Sequence, residues 1–470
     1  MREYIYLFIN GIEHKVESKY AMKNLSEYLR ETLDMKGTKV VCSEGDCGAC
    51  TVLVNRFTNS EKFITINSCI APLYLLDCSH IITIEGIQKD GVLHNVQENI
   101  AKHHGTQCGF CTPGIVNSLV AMADNVIAKK TTIDLQKVKN YTTGNLCRCT
   151  GYKGIVDAAM ALDLDKIEPL KKRYNTQEIQ TSFKIEFQKE IFLQKNEDFT
   201  IVLPKTIQKA LEYKAQGYTL ISGGTDISVF RNKGFNKDSK FISLVNIEEL
   251  YSIKNTKESL SISAMVSLTD VENSCVDDFE EFSNALKVFA SPQIKNKGTL
   301  VGNIANGSPI GDTIPFLYVS DASLKIETLR SSRELKVQDF YLGYKQFDLK
   351  DDEIITKVIV PKTTNKFKIY KVSTRKDLDI SAVSMAVAYK IDENRFTHIS
   401  IAFGGVAATV YKAKDIEDIL LNKSVTEANI LKATELISSL LTPFSDHRGS
   451  SEFRIKLCQN ILMKFYKEVV

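Results

Sequence analysis

The residues with the clearest capacity for chemistry are cysteines. Eleven occur in 470 residues, and eight of them fall into two groups of four. The first group is Cys42, Cys47, Cys50 and Cys69, spaced C-x4-C-x2-C-x18-C. Its first three members match the ligand spacing of plant-type [2Fe–2S] centres. Such a centre needs four thiolates around two irons, and its inorganic sulfides accept hydrogen bonds from loop amides. The intervening loop is rich in small residues (Ser43, Gly45, Gly48 and Ala49) that let the backbone wrap closely. Structural zinc is the alternative for four thiolates, although zinc sites more usually pair two C-x2-C knuckles.

The second group is Cys108, Cys111, Cys147 and Cys149, a C-x2-C, 35 further residues and then C-x-C. By spacing alone it suits a [2Fe–2S] centre, zinc, or a redox-active C-x2-C pair. Both pairs precede expected helices, whose positive N-termini favour an anionic centre. Cys78, Cys275 and Cys458 lack a spacing partner and read as small buried hydrophobes. The seven histidines form no ligand pattern: His103 and His104 are adjacent and do not share a helix face, so structural or surface roles are expected.

These cysteines must be positioned by regular elements. Residues 3–9 and 12–17 are β-rich and flank Asn10-Gly11, a hairpin signal. Asn24 is expected to cap a helix carrying Leu25, Tyr28, Leu29 and Leu33 on one side, and strands are expected at Thr51–Val54 and Lys62–Asn67. From about residue 85 to 162 the pattern is helical. Thr112-Pro113 reads as an N-cap and first helical position, ahead of an apolar stripe from Ile115 to Val126. Asp134 opens another helix, and Gly151–Leu162 reads as a third. Residues 163–198 are charged, contain Pro169 and read as a linker ending in strand-like Phe183–Phe187. Beyond it strands and helices mix, with glycine loops at Gly223-Gly224 and Gly298–Gly311. A break near Pro361 starts a last lobe, with strands to about 410 and then two helices.

Composition sets outer bounds. The chain is 43% hydrophobic and 25% charged, ordinary for a globular protein with sizeable cores, and its net charge of +3 gives no basic surface for nucleic acid. No apolar run reaches 18 residues, so no membrane span is expected, and the run Tyr4–Ile9 is too short for a signal-peptide core. A reducing, cytoplasmic setting is therefore expected, in which clustered cysteines bind metal. The G-x-G-x-x-G, Walker A, G-x-S-x-G and H-E-x-x-H motifs are absent, which disfavours Rossmann hydride enzymes, P-loop ATPases, serine hydrolases and zincins.

Three words carry a resemblance. Cys47-Gly48-Ala49-Cys50-Thr51-Val52, Gln107-Cys108-Gly109-Phe110-Cys111-Thr112-Pro113-Gly114 and Gly144-Asn145-Leu146-Cys147-Arg148-Cys149-Thr150-Gly151-Tyr152 together resemble the two-cluster unit of the molybdenum hydroxylases. That family includes xanthine dehydrogenase, aldehyde oxidase and carbon monoxide dehydrogenase. The resemblance implies a [2Fe–2S] cluster at each quartet. It also implies an FAD pyrophosphate loop at Leu220, Ile221, Ser222, Gly223, Gly224, Thr225, Asp226 and Ile227, which without it is an ordinary glycine turn. Further flavin contacts are implied at Phe289, Gly302, Asn303, Ser308, Asp312, Ile355 and Lys371. Composition alone would make Lys371–Asp379 a solvated charge run. Two departures occur: Val301 stands where the family often has glycine, and Lys295 where relatives commonly carry arginine.

The implied fold is α+β and multidomain. A plant-type ferredoxin-like (β-grasp) domain is expected at 1–84, a four-helix-type [2Fe–2S] domain at 85–162, a linker at 163–198, a two-lobed FAD-binding domain at 199–360 and a C-terminal α/β lobe at 361–470. Two clusters and a flavin domain in one chain resemble the small subunit of the xanthine dehydrogenase type. Molybdopterin domains are not found in this sequence, so the resemblance implies a molybdopterin-binding large subunit as partner, in a dimer of such heterodimers. It further implies NAD+ as co-substrate and purine oxidation as the overall reaction. Alternative readings are an aldehyde or N-heterocycle dehydrogenase subunit, a self-contained NADH-dependent iron–sulfur flavin reductase, and a zinc-stapled binding protein.

Overall fold

The computed structural model describes residues 1–174, 176–235 and 238–470. Asn175, inside the expected linker, and Asn236 and Lys237, inside the expected FAD domain, lie outside the described residues. The chain divides into two compact units, Met1–Glu249 with Ser291–Gly298, and Leu250–Ala290 with Thr299–Val470.

The first unit begins with the hairpin of β1 (Tyr4–Ile9) and β2 (Ile12–Glu17). Asn10 and Gly11 both take positive φ at its turn, as a two-residue hairpin requires. With β3 (Thr51–Arg56), β4 (Asn59–Asn67) and β5 (Ser79–Ile82) these strands form one sheet in the order β2-β1-β5-β3-β4. Only β1 and β5 are parallel. The helix after Asn24 is shorter than expected: one turn at Leu25–Glu27 is α-helical and Tyr28–Thr32 continues as a π-turn. The first cysteine loop runs from there to β3.

Four helices follow, at Asn95–Lys102, Thr112–Lys129, Leu135–Thr142 and Lys153–Met160. His94 and Asp134 cap the first and third, accepting from Val96 N–H and Lys137 N–H. The stripe of Ile115, Val116, Leu119, Val120 and Val126 packs with Val138 and Ile155, and with Leu53 and Ile82 of the sheet. Thr112 is not the cap expected of it. The helix starts one residue earlier and Cys111 occupies the cap position, which sets its thiol at the helix N-terminus.

The expected strand at Phe183–Phe187 is a helix, Thr176–Phe187. Phe-Lys-Ile-Glu-Phe alternates like a strand, yet Ile179, Phe183 and Phe187 also recur every fourth residue. Those three are buried with Tyr6, Phe8 and Cys78, and Phe183 meets Tyr6 and Phe8 edge to face at 6.0 and 5.5 Å. Each such aromatic contributes about 1.5–3 kcal/mol through burial. This part of the expected linker is therefore a packed helix. A second sheet follows: β6 (Ile191–Lys195), β7 (Phe199–Leu203), β8 (Thr219–Ile221) and β9 (Lys240–Ser243), in the order β6-β7-β9-β8. β7, β9 and β8 run parallel.

The second unit holds β10 (Ile253–Asn255), β11 (Ser259–Ser263), β12 (Ser323–Glu327), β13 (Ser332–Lys336), a small hairpin of β14 (Tyr341–Gly343) and β15 (Gln346–Phe347), and β16 (Ile354–Pro361). Its main sheet is antiparallel, in the order β10-β11-β16-β12-β13. The C-terminal lobe is an antiparallel sheet of β17 (Lys366–Val372), β18 (Val383–Asp392), β19 (Arg395–Gly404) and β20 (Tyr411–Lys412). Three helices cover it, not two: Lys414–Leu420, Glu427–Leu440 and Ser451–Val469. The fully buried Arg454 donates to the carbonyls of Ala382 and Gly405 and to Asp446 Oδ1 at 2.7 Å, so its charge is paired.

Candidate metal and cofactor sites

The first quartet gathers between the π-turn, β3 and the short turn Ser68–Ile70. Cys50 and Cys69 are buried, while Cys42 and Cys47 are half-buried. The thiol of Cys42 reaches those of Cys47 and Cys69, and Cys50 reaches Cys69. Hydrogen bonds from neighbouring thiols hold Cys42 and Cys50 below the ordinary thiol range and push their partners Cys47 and Cys69 up. The loop turns its amides inward: Glu44 N–H lies 3.4 Å from Cys42 Sγ, and Ala49 N–H faces Cys47.

The second quartet lies at two helix starts. Cys108 and Cys149 are exposed, with sulfurs 3.5 Å apart, and Cys111 and Cys147 are half-buried and in mutual reach. Burial pushes Cys111 up to about 12, whereas the Thr150 hydroxyl and amide bring Cys147 down against its own burial. The second quartet thus consists of two thiol pairs, whereas in the first Cys42 and Cys50 both meet Cys69. Four thiols with loop amides turned toward them fit the ligand set of a [2Fe–2S] cluster.

The two quartets are joined. Leu146 N–H donates to Cys47 O at 2.9 Å. The side chain of Asn145, 2% exposed, donates to Gly48 O at 3.0 Å and accepts from Ser118 Oγ at 2.7 Å and Gln293 Nε2 at 3.1 Å. The backbones approach so closely that a Cβ on Gly48 would strike Gly144 O, and one on Gly114 would strike Gly48 O. Asn145 and Gln293 were not singled out by the sequence reading. Asn145 lies inside the Gly144–Tyr152 word, whereas Gln293 carries no local signal.

The glycine loop Ser222–Gly224 lies between the C-terminal end of β8 and the helix Thr225–Asn232. A parallel strand, a glycine turn and a helix N-terminus form an arrangement suited to phosphate. Gly224 takes φ +72°, and a side chain at Gly223 would collide with Lys297 O, so only glycine fits. Beneath the loop the buried Ser228 Oγ has no hydrogen-bond partner among the described residues. At its far end the same helix returns to the first quartet: Asn232 Nδ2 donates to Ser43 O and Cys69 O, both at 2.9 Å.

In the second unit, Asp312 accepts from Lys371 Nζ at 2.7 Å and Ser381 Oγ at 2.6 Å, so Lys371 is not a solvated charge. Asn303 Oδ1 accepts from Thr313 Oγ1 at 2.6 Å, and Gly311 N–H donates to Ser308 O. Gly302 lies in the helix Leu300–Asn306, where its N–H donates to the Thr299 cap. Val301 is an ordinary helical residue and needs no positive φ. Ile355 is buried beside a β-bulge where β16 pairs with β12, and Phe289 is half-buried in the turn after the helix Glu280–Lys287. The structure therefore gathers Asn303, Ser308 and Asp312 around one loop and ties Lys371 to it.

Four family models match the chain. A 2Fe-2S iron-sulfur cluster binding domain matches residues 7–74, and a [2Fe-2S] binding domain matches 83–160. The FAD binding domain in molybdopterin dehydrogenase matches 197–363, and the CO dehydrogenase flavoprotein C-terminal domain matches 368–469. Its domains are those of the iron–sulfur and FAD part of a molybdenum hydroxylase. Over 99% of its length the chain is 30% identical to xanthine dehydrogenase of Emericella nidulans, and over 98% it is 30% identical to aldehyde oxidase 3 of Rattus norvegicus. It spans only 38% and 39% of those two proteins. In fold it resembles the carbon monoxide dehydrogenase structure from Hydrogenophaga pseudoflava, with a TM-score of 0.55 and 24% identity, over 57% of this chain and 95% of that one. No helix among the described residues is long and apolar enough to cross a membrane.

Proposed function

We propose that the chain is the electron-transfer subunit of a xanthine dehydrogenase-type molybdenum hydroxylase. Cys42, Cys47, Cys50 and Cys69 hold one [2Fe–2S] cluster, and Cys108, Cys111, Cys147 and Cys149 hold the other. In the first unit Leu220–Ile227 are assigned to FAD. In the second, Phe289, Gly302, Asn303, Ser308, Asp312, Ile355 and Lys371 are assigned to flavin contacts. When bound, the clusters supply one-electron carriers, and FAD supplies the change from single electrons to a pair. The protein's own part is positional. Inward amides compensate thiolate charge, Asn145 and Leu146 fix the spacing of the quartets, and Gly223 keeps the flavin loop close to the Lys297 carbonyl.

The observation that carries this reading is the pair of thiol quartets joined by the Leu146 to Cys47 hydrogen bond. Exposure of Cys108 and Cys149 supports placing the second quartet toward a molybdopterin-bearing partner. Purine as substrate, NAD+ as acceptor, a cytoplasmic setting and a dimer of heterodimers follow from the xanthine dehydrogenase likeness. Domain limits at 84, 162, 198 and 360 belong to the same proposal. An aldehyde-oxidising partner is the second reading, since rat aldehyde oxidase 3 is also 30% identical. Iron, flavin and partner analysis of natively purified protein tests the proposal. Four irons, one FAD and a molybdoprotein companion are expected; a colourless chain purifying alone would overturn it.

A further inference from the structure

Lys297 is 8% exposed, with an amine at the end of its side chain. An ammonium has three donors. Among the described residues Lys297 Nζ makes one hydrogen bond, to Ile70 O at 3.3 Å. Burial and then the like charge of Arg56 disfavour its protonated form, and the acidic Cys69 thiol acts against them. Its segment is fixed from several sides. Asn296 Nδ2 donates to Thr65 O at 2.9 Å, Gln293 Nε2 donates to Thr51 Oγ1, and the Lys297 carbonyl bounds the space above Gly223. The side chain is thus held with its charge beside the Cys69 turn and its backbone beside the flavin loop.

A buried cation without a counter-ion is costly, and methionine would fill similar volume without that cost. An anion bound here would hold the amine in its charged form. Four thiolates around a [2Fe–2S] core give a net anion, and reduction adds one negative charge. A cation fixed nearby stabilises the reduced form more than the oxidised form. We infer that Lys297 is a positioning residue that raises the reduction potential of the centre held by Cys42, Cys47, Cys50 and Cys69. The inference rests on the assignment of that quartet to a cluster. The flavin pyrophosphate proposed for the neighbouring loop is the rival source of negative charge.

The test is redox titration of the full chain, following each cluster by its electron paramagnetic resonance signal, with iron and flavin content measured first. Wild-type protein without reducible iron overturns the cluster assignment itself, and the inference with it. Given loaded wild type, Lys297→Met should lower one cluster midpoint by 59 mV or more, a tenfold change in its reduction equilibrium. Lys297→Arg should restore it, and the other cluster should not move. The shifted signal should be the one abolished by Cys42→Ser. Unmoved midpoints, equal shifts of both clusters, or loss of flavin alone would overturn the inference. Should Lys297→Met lose iron, Lys297→Gln is compared with Lys297→Arg. Iron retained only with a cation supports the inference, and iron lost from all three variants overturns it.

Discussion

The amide of Leu146 donates to the carbonyl of Cys47 at 2.9 Å, which places a single hydrogen bond between the backbones of the two cysteine quartets. Cys147 is the next residue after Leu146. The connection from one candidate ligand to another is therefore one peptide unit and one hydrogen bond. It is made by backbone, so its length does not depend on side-chain rotamers.

The proposed placement of the second quartet nearer the molybdopterin-bearing partner, with the first quartet next in order toward the flavin, has a functional consequence. Cys108→Ser should abolish turnover from the reducing substrate to NAD+ while leaving NADH-to-dye activity of the flavin largely intact. Paired assays on the same iron-quantified sample check this, and equal loss of both activities would refute the order.

Asn145 is a satisfied buried amide with partners on three segments. Asn145→Leu leaves Gly48 O, Ser118 Oγ and Gln293 Nε2 without it, and the expected loss is on the order of 3 kcal/mol. Chemical denaturation of the first unit's transition reads this out. A loss below about 0.5 kcal/mol would mean that the network is not structural.

Gly114→Ala adds one methyl group where the Gly48 carbonyl stands. Overpacking of this kind costs about 1–3 kcal/mol. A fall in melting temperature with a lowered iron-to-protein ratio is expected. Unchanged values of both would show that the two backbones can separate freely.

Histidine burial gives a pH signature. His80 is fully buried among Phe8, Phe63 and Tyr174, accepts from Gly11 N–H, and is lowered by burial to about 3. The unfolded chain binds its proton near pH 6.5, so His80 adds stability above that pH. This contribution is lost as pH falls toward 3, up to about 5 kcal/mol in all. Between pH 6.5 and 5 the expected loss is about 2 kcal/mol, before most carboxylates titrate. His80→Phe should flatten that part of the melting profile, leaving the contribution of His94, which burial lowers to about 4. An unchanged slope would contradict the assignment.

Local signals made much of this legible. The Asn10-Gly11 turn, the Asp134 cap and the apolar stripe behind Thr112 are short-range features, and the structure forms them where sequence pattern puts them. The quartets were visible because thiolate ligands keep fixed spacings. Phe183–Phe187 misled because alternation and a four-residue repeat coincide in five residues, and only Tyr6 and Phe8, far away in sequence, select the helix. Gln293, Asn232 and Lys297 were invisible for the same reason. Each acts on residues more than 140 positions distant, and nothing beside them in the chain marks the contact.

The segment Ser291–Gly298 belongs to the first unit although residues 250–290 belong to the second. During synthesis the polypeptide must leave the first unit and then return to it before Gln293 and Lys297 can take their places. The iron-binding half is therefore unfinished on the ribosome when Glu249 emerges. A fragment ending there would lack the Gln293 contacts of Thr51 and Asn145 and the Asn296 contact of Thr65, so the first unit gains these contacts only once the later segment has been made.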